Sequence, residues 1–276
     1  MVFWPRSTVL RRLLPLLTFF TGWSILATWL GLSMPPLAIA YSASPLALLL
    51  AFRVNAASSR FIEARQCWGR AVNAARNVAA TVAASPLAPA QKEKCCRALC
   101  ALGWAMKSSL RGDTELEGVL RTLLPEEVAG WVLEQRKTPL ALLTLIRQTL
   151  ANTPLFEGNN AISSTISSGL TELNNCYGTM ERIFSTPLSP TYMRHTSRGM
   201  LLWLLLLPCA MTGSGSRAIL PNVLTVLSVA YVMLGIDEIG IQIEQPFDVL
   251  PLHALATMLT LDVAAELAPT VPIPDV

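Results

Sequence analysis

Residues able to do covalent chemistry are sparse in this chain and poorly spaced for it. His195 and His253 have no Ser or Cys partner at a spacing that a nucleophilic motif uses. Cys95, Cys96 and Cys100, in CCRALC, offer soft ligands, yet no nearby histidine or second CxxC completes a four-coordinate zinc site. A thiol cluster on a helix surface is the plainer reading. No Gly-rich phosphate loop occurs. The expectation is therefore no enzyme, no cofactor and no metal. What remains is a set of charges at the borders of apolar runs: Arg53 and Arg60 after one, Asp237, Glu238 and Glu244 after another. Groups so placed act on ions and interfaces rather than on a bond to be broken.

The elements that must position those charges are membrane spans. Of 276 residues, 52% are hydrophobic and 14% charged, against about 25% charged in soluble domains. A net charge of +3, without basic residues interleaved with aromatics, excludes a nucleic-acid binder. The six cysteines lack the spread of a secreted disulfide framework, which favours a reducing compartment. Near the N-terminus, the uncharged run from Leu13 to Met34 is too long for a signal peptide's apolar region of about 7 to 15 residues. It suits the roughly 20 residues of a span.

Four apolar runs stand out, at about 13–34, 35–52, 199–213 and 218–236. The third is short, and an earlier start at Tyr192 would require Arg194 and Arg198 to reach the interface along their own stems. Between the second and third runs, 53–198 shows polar helical periodicity broken by SPLAPAQ, LRGD, LLPEE, KTPL and NTPLFEGNN. The expected fold is all-α: four spans, a large helical extramembrane region at 53–198 and a C-terminal segment at 237–276. Arg6, Arg11, Arg12, Arg53, Arg60, Arg65, Arg194 and Arg198 then share one side of the membrane, cytoplasmic or stroma-like. The second span is rich in small residues from Ala38 to Ala47, as close backbone approach in lipid requires. No helix breaker follows Pro45, so the helix should run out of the membrane without a turn.

Three blocks, LLLAFRVNAASSRFIEARQCWG, ERIFSTPLSPTYMRHTSRGMLLWLLLLPCAM and GIDEIGIQIEQPFDVLPLHAL, resemble the bestrophin family in wording and order. With the apolar runs, the likeness covers almost the whole chain as a single domain, and SPLALLLAFR and YMRHTSR look most like the plant, algal and cyanobacterial branch. The resemblance implies a homopentameric anion channel whose second span lines a narrow neck. Its ions would be chloride and bicarbonate, and its membrane a thylakoid of the chloroplast, or alternatively a bacterial inner membrane. A non-conducting pentameric scaffold that recruits a soluble partner is the rival reading. Where animal members carry a dense acidic run that holds calcium, this chain has PFDVLPLHAL with Asp248 alone, so calcium gating is not implied. Phe61-Ile62 replaces the usual aromatic pair.

Carried onto this sequence, the neck residues are Leu37, Tyr41 and Pro45, whose i, i+4, i+8 spacing lies along one helix face. Leu188, in TPLSPTY, matches a second constriction. Arg53 and Arg60 are candidates for attracting anions to the mouth, the alternative being interface anchors. Asp237, Glu238 and Glu244 are expected to pair with Arg53, Arg65 or Arg198 across subunits.

Overall fold

A computed structural model describes residues 8–151, 153 and 161–266. Eleven helices are described among them, and no strand. The chain divides into two compact units, Met1–Phe61 with Pro187–Gln245, and Ile62–Thr186 with Pro246–Val276.

The first unit holds α1 (Thr8–Trp29), the first half of α2 (Pro36–Ala84), α8 (Pro190–Gly213) and α9 (Ile219–Glu244). α1 stops before Met34 because Gly31, at φ 66°, closes it in a Schellman pattern. The Leu32 amide donates to the Ala27 carbonyl at 3.0 Å and the Gly31 amide to that of Thr28 at 3.2 Å. α1 packs on α8 and α9. Their shared core is Leu13, Leu17, Phe20, Met200, Leu204, Val226, Ala230 and Leu234, joined by Leu46 of α2. Indole nitrogens stitch the helices where lipid would offer no partner: Trp23 donates to the Leu205 carbonyl at 2.8 Å and Trp203 to that of Ile39 at 3.2 Å. Gly213 sits so close to the Met34 carbonyl oxygen that a Cβ there would lie 2.0 Å away.

Three of these helices are long and apolar enough to cross a membrane: Val9–Trp29, Pro36–Ala84 and Ile219–Glu244. α8 falls outside that set, since its first turns carry Arg194, His195 and Arg198 before the apolar stretch that begins at Gly199. It nonetheless starts at Pro190, two residues before the early start at Tyr192 that the sequence left open. α9 runs eight residues past the expected end at 236, to Glu244.

In the second unit, α3 (Pro89–Arg111) packs against α4 (Leu116–Leu123), α6 (Thr138–Ala151), α7 (Ala161–Ser185), α10 (Pro246–Val249) and α11 (Leu252–Glu266), while α5 (Glu126–Glu134) joins α4 to α6. The Pro and Gly punctuation falls between helices as expected, with Gly112 at φ 71° capping α3. NTPLFEGNN lies outside the described residues except for Thr153. Ion pairs that hold this unit include Arg76 to Asp262 at 2.6 Å, and buried Lys107 to Asp113 at 3.0 Å and Glu115 at 2.8 Å. The Arg111 guanidinium donates to the carbonyls of Phe247, Asp248 and Leu250 at 2.8, 3.2 and 2.7 Å.

Candidate pore-lining face

α2 continues unbroken for 49 residues through Pro45 and across both units. At 100° per residue, Leu37, Tyr41, Pro45, Leu48 and Phe52 fall within an arc of about 80°, and all five are exposed. Leu37 is 62% and Tyr41 76% accessible, large values for apolar side chains on a helix that packs in a bundle. Ile39, Leu46, Leu50, Arg53 and Ala57 are buried and fall within about 60° on the opposite side. The structure thus sets Leu37, Tyr41 and Pro45 on one open apolar stripe and extends it to Leu48 and Phe52. These two were missed, although the i+11 and i+15 spacing from Leu37 was legible.

Arg53 corrects an expectation. Of the two roles open to it, attracting anions to a mouth and anchoring, its burial disfavours the first: only 2% of it is accessible, and it lies on the buried side of α2. Its Nη1 donates to Asp237 of α9 and, at 2.8 Å, to Ser197 Oγ of α8. Ser197 Oγ also lies 3.4 Å from Asp237 Oδ2. A guanidinium in so dry a place needs a counter-charge within reach, because the cost of desolvating it exceeds any gain from distant ions. Asp237 pairs within the chain with Arg53, a partner the sequence had suggested, and Glu238 with Arg12 of α1 at 2.9 Å, one it had not. Arg53 and Asp237 stand 184 positions apart in the chain.

Arg60 is half-buried on α2, and Leu188 is half-buried in the connection between α7 and α8. Neither shares the stripe of Leu37 and Tyr41. No group of three or more His, Cys, Asp or Glu residues among those described is placed to hold a metal. All six cysteines are free. Burial pushes the α3 thiols up, Cys95 to about 12 and Cys96 and Cys100 to about 11, which leaves them protonated and inert.

A family model described as a bacterial/fungal bestrophin protein matches residues 1–265. The chain belongs to the bestrophin family. Among its relatives is a voltage-dependent chloride channel of the Arabidopsis thaliana chloroplast, 26% identical over 92% of this chain. The chain spans 65% of that relative's length. A voltage-dependent anion channel-forming protein of Nostoc sp. is 31% identical over 87% of this chain and 80% of its own. In fold, this bestrophin matches the crystal structure of a bacterial homologue from Klebsiella pneumoniae with a TM-score of 0.85, at 24% identity, over 96% of this chain and 100% of that one.

Proposed function

We propose that this bestrophin is a passive anion channel, a ring of five subunits in which the exposed stripe of α2 lines the neck. The observation that carries the reading is the two-sided character of α2. One face leaves Leu37, Tyr41, Leu48 and Phe52 open, while the opposite face buries Ile39, Leu46 and Leu50 together with the one charge in this stretch, Arg53, which is paired with Asp237. A collar of Leu37 and Tyr41 from several subunits gates by dewetting, and an anion that sheds water readily crosses it at lower cost than a compact cation. No fixed charge is needed at the constriction. Chloride is the first ion and bicarbonate the second. The names of the Arabidopsis and Nostoc relatives support anion passage.

The remaining parts follow from the same reading. α8 completes the set of four as the third span in chain order: its 24 residues reach about 36 Å, enough for a hydrocarbon core of about 30 Å, with Arg194 and Arg198 extended toward the headgroups. Leu188 forms a second constriction, Arg60 contributes positive potential near the mouth, and the two units work as one channel domain. The membrane is a thylakoid or, in a bacterial host, the inner membrane.

The test is ion flux through purified protein in liposomes, with chloride, nitrate and bicarbonate compared, alongside native mass spectrometry of the assembly. Selective anion flux from a pentamer is the expected result. A stable monomer or dimer, or a pentamer that passes no anion at any potential, overturns the reading and favours the scaffold.

A further inference from the structure

Three helices of the first unit meet at one buried polar cluster. Arg53 of α2, Ser197 of α8 and Asp237 of α9 are joined by hydrogen bonds, and neither Arg53 nor Asp237 is more than 10% accessible at its side chain. The rest of the buried side of α2 here is Ile39, Leu46, Leu50 and Ala57. Apolar contacts of that kind are non-directional and tolerate small rotations of a helix about its axis. Two other bonds reach α2 from α8, Tyr192 Oη to the Leu49 carbonyl at 2.9 Å and Trp203 Nε1 to the Ile39 carbonyl at 3.2 Å, but both end on backbone oxygens.

Distance from the axis separates these bonds. Backbone atoms lie about 2.3 Å from a helix axis, so a 20° rotation moves them by about 0.8 Å. The outer end of a long side chain lies at about 5 to 6 Å and moves by about 2 Å. Hydrogen-bond distances span only about half an ångström. Among the bonds that reach α2 from α8 and α9, those of Arg53 are thus the most sensitive to rotation. Its Nε is buried and makes no hydrogen bond, so the hold of this side chain rests on Nη1.

We propose that the Arg53–Asp237–Ser197 cluster is a rotational key: it fixes the turn of α2 about its axis and thereby decides which side chains form the exposed stripe of Leu37, Tyr41 and Pro45. Arg53 is then a positioning residue for anion selectivity that touches no anion. The rotational part stands on the geometry alone, and the consequence for selectivity rests on the channel reading. Tyr41 lies twelve residues from Arg53, about 18 Å along the helix, well beyond the range of about 7 to 10 Å within which neighbouring substitutions normally couple.

The experiment places single cysteines at each position from 37 to 45, in a Cys209→Ala background, and attaches a nitroxide to each in lipid. Its exposure to a water-soluble relaxing agent is then read along the segment. The parent should show maxima at 37, 41 and 45. Asp237→Asn should shift the phase of that pattern by a measurable angle, Asp237→Glu should keep it, and Ser197→Ala, a milder change that leaves the ion pair, should shift it less. In flux assays of the same assembled protein, Asp237→Asn should change the nitrate-to-chloride permeability ratio at least threefold. Its effect should be non-additive with that of Tyr41→Ala. If the phase shifts but the parent passes no anion, the rotational key stands and the channel reading fails. If the parent conducts and Asp237→Asn leaves both phase and ratio unchanged in assembled protein, the key is overturned and the cluster only stabilises the bundle.

Discussion

Leu37→Ala and Tyr41→Ala together should raise conductance without harming the subunit. Within one subunit these side chains are 62% and 76% accessible, so truncating them removes little buried area. Surface substitutions of this kind change stability by less than about 0.5 kcal/mol, and alanine is the best helix former. In the proposed ring of five, any change in the barrier would be multiplied by symmetry. If each subunit's collar contributes only about 0.3 kcal/mol, five copies sum to about 1.5 kcal/mol, or roughly a tenfold change in rate. Leu46→Ala is the matched control, on the same helix but 7% accessible and within the shared core. It should cost about 2 to 5 kcal/mol of stability and leave the permeability ratios of assembled protein alone. Single-channel recordings in planar bilayers, with chloride, nitrate and bicarbonate on opposite sides, read the conductance and selectivity. Thermal unfolding in detergent reads the stability. Double-alanine protein that assembles normally and conducts like the parent would refute the argument that this stripe lines the pore.

Other consequences are as specific. Gly169→Ala places a Cβ 2.4 Å from Val78 Cγ2, so it should destabilise by about 1 to 3 kcal/mol, with partial recovery in the double variant with Val78→Ala, as thermal melts would show. The α3 thiols, with values of about 11 to 12 against 9.0 unperturbed, should resist alkylation at pH 8 until the protein unfolds, as mass spectrometry would count. Because their folded values are raised, the unfolded state alone ionises as pH climbs past about 9; stability should fall from there toward pH 11 to 12, and less steeply in a variant with Cys95, Cys96 and Cys100 all changed to alanine. Stepping calcium across its signalling range should leave currents unchanged, since the carbonyls of Phe247, Asp248 and Leu250 already serve Arg111 and no acidic cluster among the described residues supplies the six to eight oxygens calcium takes. A steep calcium dependence would point to a site assembled from elsewhere.

Sequence alone was enough for whatever depends on local pattern. Apolar run length marked α1, α2 and α9 as membrane-spanning candidates, and the lack of a breaker after Pro45 predicted that α2 leaves the apolar stretch without a turn. Punctuation at SPLAPAQ, LRGD, LLPEE and KTPL divided the helices of the second unit, and the block wording pointed to the family. These properties are local because helix formation and hydrophobic periodicity are set by residues within a few turns of each other. The Schellman end at Gly31 was equally legible, and so was the continuation of the stripe to Leu48 and Phe52. Tertiary structure decided the role of Arg53. At the border of an apolar run, an arginine that reaches toward water and one sealed against a carboxylate have the same sequence signature. What separates them is whether a counter-charge arrives from far along the chain, and Asp237 and Ser197 do arrive, from α9 and α8. The pairing of Glu238 with Arg12 was hidden in the same way. Burial is a property of the packed bundle and not of the residue.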